Sequence, residues 1–184
     1  LIGLTLQTLL EDSDKKYIDD FAKYIVKTSR ERKGKYQKID PVSVISTNWD
    51  ILLDNSLYNQ INGKHNQING KAELAVVDYC CYISSYDKSD DKVKPGLEIL
   101  GKGGFNVKLL KLHGSLNWLQ CPKCQRIYVK FNEKIAMDPY GNIDQPTCRH
   151  CDGNFGKLKS HNLIANLIMP TFLKDLSNPQ YKII

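Results

Sequence analysis

Apolar residues recur along the chain with two periods. Over 17–28, Tyr17, Ile18, Phe21, Tyr24, Ile25 and Val26 approximate i, i+3, i+4, i+7 spacing, which predicts an amphipathic helix. The basic run Arg30-Glu31-Arg32-Lys33-Gly34-Lys35 is expected to end it. Pro41 then opens a nearly unbroken apolar and β-branched stretch at 42–47, expected to be a central buried strand. That stretch stops at Asn48-Trp49-Asp50, after which Leu52, Leu53, Leu57 and Tyr58 return to helical spacing. Residues 48–50 therefore sit at a strand-to-helix junction. A third strand is expected in 74–83 through Ala75-Val76-Val77-Asp78-Tyr79, carrying Cys80 and Cys81, a fourth at 107–112, and another in 163–169 stopped by Pro170. Strands alternating with helices imply βαβ units and a parallel sheet.

Other stretches break this pattern. Asn59-Gln60-Ile61-Asn62-Gly63-Lys64 recurs as Asn66-Gln67-Ile68-Asn69-Gly70-Lys71, which reads as a duplicated surface loop, since a solenoid needs more copies at a longer period. Residues 88–106, with Pro95, Gly101, Gly103 and Gly104, read as a long loop of the kind that covers a site. Residues 121–153 look like a small inserted module. The expected fold is α/β: a Rossmann-like, mainly parallel sheet with helices on both faces, formed by 1–118 and 154–184, with a zinc-ribbon insert at 119–153. A helical start at Leu1 without methionine and an abrupt end at Tyr181-Lys182-Ile183-Ile184 suggest a segment of a larger domain.

Composition narrows the function classes. An apolar content of 41% with 25% charged residues describes a soluble globular protein. The formal charge of +6 accommodates an anionic ligand, but the lysines are scattered and no arginine-rich block marks a dedicated nucleic-acid domain. No apolar run approaches the roughly 20 residues that span a bilayer, and 1–10 is broken by Thr5, Gln7 and Thr8, so neither a membrane span nor a signal peptide is expected.

Four of the 6 cysteines fall in two Cys-x-x-Cys pairs, Cys121/Cys124 and Cys148/Cys151. Each knuckle can place two sulfurs on one side of an ion, and zinc favours such a closed tetrahedral thiolate shell in structural sites. This spacing favours a metal site in a reducing compartment over disulfides, hence a cytoplasmic protein. Four thiolates leave no open position for catalysis. Pro122 and Gly153 suit knuckle turns, 125–130 suits one strand of a ribbon, and His150, between two ligands, is expected to be exposed or to support the ligands. Cys80 and Cys81 are expected to pack as small buried groups.

The strand at 107–112 leads into Lys111-Leu112-His113-Gly114-Ser115-Leu116-Asn117-Trp118. A histidine at a strand end is either a hydrogen-bonded structural group or a functional one. Gly114 would let a ligand approach the backbone, and Ser115 offers a polar contact. Asn48 and Asp50 are either N-cap residues of the following helix or ligand-binding groups. In an open α/β sheet, ligands bind at the carboxyl ends of strands, so both groups are expected to face one cleft.

Taken in order, Thr47-Asn48-Trp49-Asp50, Leu112-His113-Gly114-Ser115 and the paired Cys-x-x-Cys knuckles resemble the sirtuin family of NAD-dependent enzymes. The word Lys111 to Trp118 and Met169-Pro170-Thr171-Phe172-Leu173-Lys174-Asp175 look closest to its bacterial sirtuin-like branch, which includes antiphage NAD hydrolases. The resemblance covers about 42–175. It implies that Asn48 and Asp50 line the nicotinamide and ribose pocket and that His113 is the catalytic histidine, with Thr47, Gly114 and Ser115 beside the cofactor. It further implies NAD as substrate, structural zinc, and partners that include a second copy, additional domains or defence proteins. Deacylating sirtuins carry glutamine where Thr47 stands, which argues against peptide deacylation. The family's Gly-Ala-Gly phosphate loop and its glycine-serine adenosine turn are absent, as in a chain clipped at both ends. The implied activity is hydrolysis of the nicotinamide–ribose bond. The alternatives are an NAD-dependent deacylase or ADP-ribosyltransferase, or a non-catalytic zinc-ribbon module binding nucleic acid or protein through Arg126, Lys130 and Arg149.

Overall fold

The computed structural model describes residues 15–35, 42–63, 67–68, 71–140, 146–155 and 161–167. The expected start at Leu1, the Pro41 and Pro170 boundaries and the 169–175 word lie outside the described residues. Three parallel strands form the first sheet in the order β1 (Ser43–Ser46), β6 (Phe105–Lys111), β4 (Ala75–Asp78). The register pairs Ser46 with Lys111, so β1 and β6 end level and their exits lie side by side.

Alternation along β6 divides the two faces of this sheet. Phe105, Val107 and Leu109 are fully buried against Ala22, Ile25 and Val26 of α1 (Lys16–Lys35) and Leu57 and Ile61 of α2 (Leu52–Asn62). Asn106 points the other way, donating to Asp78 Oδ2 at 2.7 Å beside Gly96 of α3 (Gly96–Gly101). Helices therefore flank both faces, and the molecule is α/β with a parallel sheet as expected. No helix among the described residues is long and apolar enough to cross a membrane.

Several local expectations change. The basic run does not end α1, which continues to Lys35. Arginine, glutamate and lysine are good helix formers, Lys27 pairs with Glu31 one turn away at 3.8 Å, and Arg30 pairs with Glu73 at 2.8 Å. Among the described residues β1 lies at the edge of the sheet, with alternate residues exposed and Ile45 59% accessible, whereas β6 is central. Cys80 and Cys81 are not on a strand: the chain turns at Cys80, whose φ is 56° and whose N–H donates to Asp78 Oδ1. Residues 88–106 contain α3 rather than only a loop. The repeated words adopt different structures. The first closes α2, while the second contributes to the antiparallel hairpin of β2 (Gln67–Ile68) and β3 (Lys71–Ala72).

The largest departure follows Lys111. Instead of continuing a single parallel sheet, the chain turns at Leu112-His113 and enters a second, mixed sheet ordered β5 (Ile83–Ser85), β8 (Ile127–Val129), β7 (Gly114–Gln120), β9 (Ile164–Leu167). β5 is parallel to β8, and β7 runs antiparallel to both β8 and β9. All of β7 is buried. Trp118 enters the main core edge-on to Tyr79, Leu119 enters the core around the cysteines, and Leu116 joins Ile51 and Ala136.

Gly114 makes this switch sterically possible. Its φ is +78°, and a Cβ there would overlap the Asn166 carbonyl of β9. Gly114→Ala should therefore combine left-handed strain with overpacking against rigid backbone, at a cost of about 2 kcal/mol or more. Urea unfolding should show a lower midpoint at unchanged slope, and an unaltered midpoint would contradict this account.

Candidate functional site

The knuckles are built at the end of β7 and the start of a short helix. Cys121 N–H donates to the Arg126 carbonyl at 3.0 Å and Gln125 N–H donates to the Cys121 carbonyl at 3.0 Å, folding the first pair into a tight turn. Gln125 adopts a φ of 61° there. Cys148 precedes α4 (Arg149–Phe155), which carries Cys151 in its first turn. All four Sγ atoms lie within 4.8 Å of one another, with Cys121–Cys151 at 3.7 Å and Cys124–Cys148 at 3.6 Å. Thiolates about 2.3 Å from a tetrahedral zinc are roughly 3.8 Å apart. The donor set thus fits a metal ion such as zinc, enclosed by Leu119, Tyr128, Ile135 and Leu163.

The thiols' electrostatics point the same way. Burial pushes Cys151 up to about 12, reinforced by hydrogen bonding to the other sulfurs, and burial likewise raises Cys124. Burial also acts to raise Cys148, but hydrogen bonds from Tyr128, 3.3 Å away, and from the Cys151 backbone outweigh it and bring Cys148 down to about 7. Cys148 is thus shifted towards the thiolate, whereas burial holds Cys124 and Cys151 towards the neutral thiol, a balance that a bound cation would reverse. Purified full-length protein should contain about one zinc per chain. Chelation should free all four thiols for alkylation and lower the melting temperature. A folded, metal-free protein with four reactive thiols would refute the site.

The second cluster lies where β1 and β6 end, and hydrogen bonds join the two words that the sequence singles out. Ser46 carbonyl accepts from Leu112 N–H at 2.9 Å, Thr47 carbonyl from His113 Nδ1 at 3.0 Å, Trp49 carbonyl from Leu116 N–H at 2.9 Å, and Asp50 carbonyl from Lys111 Nζ at 2.5 Å. The turn after β1 is thereby clasped by residues 111–116. Thr47 and Asn48 are exposed, while Asp50 and His113 are half-buried. Asp50 Oδ1 accepts from Leu52 N–H at 3.1 Å, as a residue entering a helix does.

Gly114 and Ser115 are differently placed. Strand β9, rather than open space, lies against Gly114, and Ser115 is fully buried with no hydrogen-bond partner for its hydroxyl. His150 is exposed and its N–H donates to Tyr128 Oη. The basic side chains near the knuckles are engaged by protein groups. Arg126 donates to Ile83 carbonyl and Ser84 Oγ, Arg149 to the Ser85 and Tyr86 carbonyls, and Lys130 pairs with Asp87 and Glu133.

Sequence reasoning passed over Lys111, Asp54 and Tyr79, which form a buried polar group beneath the turn. The available signal was a lysine alternating in phase with Phe105, Val107 and Leu109 on a strand's buried face. No family model matches the chain, and no curated protein or solved structure matches it either.

Proposed function

We propose that the strand-end cluster binds NAD and hydrolyses its nicotinamide–ribose bond, releasing nicotinamide and ADP-ribose, with zinc in the four-cysteine site acting structurally. The sirtuin-like words motivate the reading, and its antiphage setting comes from that resemblance alone. The observation that carries it is the bond between His113 Nδ1 and the Thr47 carbonyl. A carbonyl can only accept, so in the neutral imidazole Nδ1 holds the proton and Nε2 is the basic nitrogen. Such a ring suits proton acceptance from a ribose hydroxyl or attacking water.

Cleavage of a bond from a sugar to a cationic leaving group passes through an oxocarbenium-like state, which a nearby carboxylate stabilises. Asp50 supplies negative charge at the same strand end, and the exposed Asn48 amide supplies donors and an acceptor for the departing carboxamide.

Full-length protein should release nicotinamide from NAD. Asn48→Ala and His113→Ala should each lower the rate at least about a hundredfold, with circular dichroism and zinc content unchanged. Turnover that survives either substitution removes that residue from the mechanism. Release that depends on an acylated peptide favours the deacylase instead, and salt-sensitive nucleic-acid binding without turnover favours the binding module.

A further inference from the structure

We infer that the buried Lys111–Asp54 ion pair is the positioning device of the 47–50 turn; its catalytic consequence rests on the NAD reading, whereas its structural consequence does not. Lys111 occupies a place on β6 where its neighbours in phase are Phe105, Val107 and Leu109, and its side chain is 1% exposed against 0% for Asp54. Nζ donates to Asp54 Oδ2 at 2.9 Å and to the Asp50 carbonyl at 2.5 Å. Asp54 Oδ1 in turn accepts from Tyr79 Oη at 2.7 Å, and Tyr79 Oη accepts from Asn117 Nδ2 at 3.4 Å. A single ammonium thus ties the end of β6, the first turn of α2 and the residue after β4 to one backbone carbonyl of the turn.

Stability alone does not require this arrangement. A buried ion pair replaced by apolar side chains of similar volume is often neutral or stabilising, because both desolvation costs disappear. What an apolar pair lacks is a donor for the Asp50 carbonyl. Among the described residues the other clasps of the turn come from the 112–116 backbone, from His113 and, locally, from Ser46 Oγ, which accepts from Asn48 N–H at 3.3 Å, so Lys111 is the buried side chain that ties the turn to the helix beneath it. Lys111 and Asp54 are positioning residues, since neither is exposed to touch a substrate.

The test uses the full-length chain carrying Lys111→Met, Asp54→Leu and Tyr79→Phe together, which removes the charges and the phenol and leaves an apolar filling. Amide exchange should rise at least about tenfold at Leu52 and Leu116, whose N–H groups bond Asp50 Oδ1 and the Trp49 carbonyl, while Cys121 N–H in the knuckle stays protected. Zinc content should be unchanged, and kcat for nicotinamide release should fall at least about tenfold, as displaced catalytic groups do. Unchanged exchange at Leu52 and Leu116 in the folded variant overturns the inference whatever the activity. Raised exchange with unchanged kcat overturns its catalytic half. A wild-type protein that releases no nicotinamide overturns the NAD reading alone, and exchange still decides the positioning role. Should the triple variant not fold, Tyr79→Phe alone loosens Asp54 while keeping the ion pair. A smaller rise at Leu52 then supports the inference, and no rise overturns it.

Discussion

An ammonium and a carboxylate with almost no access to water set the terms for the centre of this molecule. Desolvating each ion costs several kcal/mol, so neither tolerates loss of its partner: removing one alone leaves an uncompensated buried charge at about 3–5 kcal/mol. The Lys111–Asp54 distance of 2.9 Å, with the Asp50 carbonyl and the Tyr79 hydroxyl completing the shell, satisfies that demand. Burial first, and then the charge on Asp54, push the Tyr79 hydroxyl well above the usual phenol range, which keeps it protonated as the donor. The geometry of β6, α2 and the 47–50 turn follows from meeting these requirements together.

Tyr79 carries the constraint outward into the second sheet. Its ring meets Trp118 of β7 edge-on at 4.7 Å and stacks with Phe131 at 6.2 Å, and Phe131 stacks in turn on Tyr58 of α2 at 4.2 Å. Such aromatic pairs add about 0.5–1.5 kcal/mol each beyond area burial. The loop after β8 is further held by Asn132 N–H, which donates to Asn55 Oδ1 on α2 at 2.8 Å. The cysteine knuckles are therefore not an appendage on a linker. They grow from strands whose inner residues belong to the same core as the parallel sheet.

What the sequence made legible was local and periodic. The β-branched run at 42–47 and the apolar run at 107–112 were readable as strands, and the polar words at their ends fell side by side because parallel neighbours exit at the same edge. The paired cysteine spacing was readable because metal geometry restricts it severely. In the second sheet β8 and β9 were readable as strands within 125–130 and 163–169, but β7, which lies between them, was not. β7 begins Gly114-Ser115 and includes Asn117 and Gln120, so it resembles a turn followed by a polar loop, and only partners distant in sequence, such as Tyr79 and the β9 backbone, explain its burial. Among the described residues β1 has one neighbouring strand, and it looked central because β-branched content reports strand formation rather than the number of neighbours. The roles of Asn48, Asp50 and His113 are proposed from their residue types and placement. At Gly114 the structure shows a steric requirement, the close approach of another strand.

The position of β7 also decides what a metal in the knuckles can do. The strand starts directly after His113 and ends directly before Cys121. Since an extended strand rises about 3.3 Å per residue, the sulfurs lie on the order of 20 Å from the histidine. No ion held there can polarise a bond or activate water at the strand ends. The four-sulfur shell points the same way, because it leaves no coordination position for substrate. What the ion would supply is order at the far end of a strand buried along its whole length, whose near end sets the turn from which His113 reaches the Thr47 carbonyl. The division of labour would thus be mechanical: the Lys111–Asp54 pair lies beneath the strand ends, and a metal in the knuckles would hold the far end of the strand that leads away from the histidine.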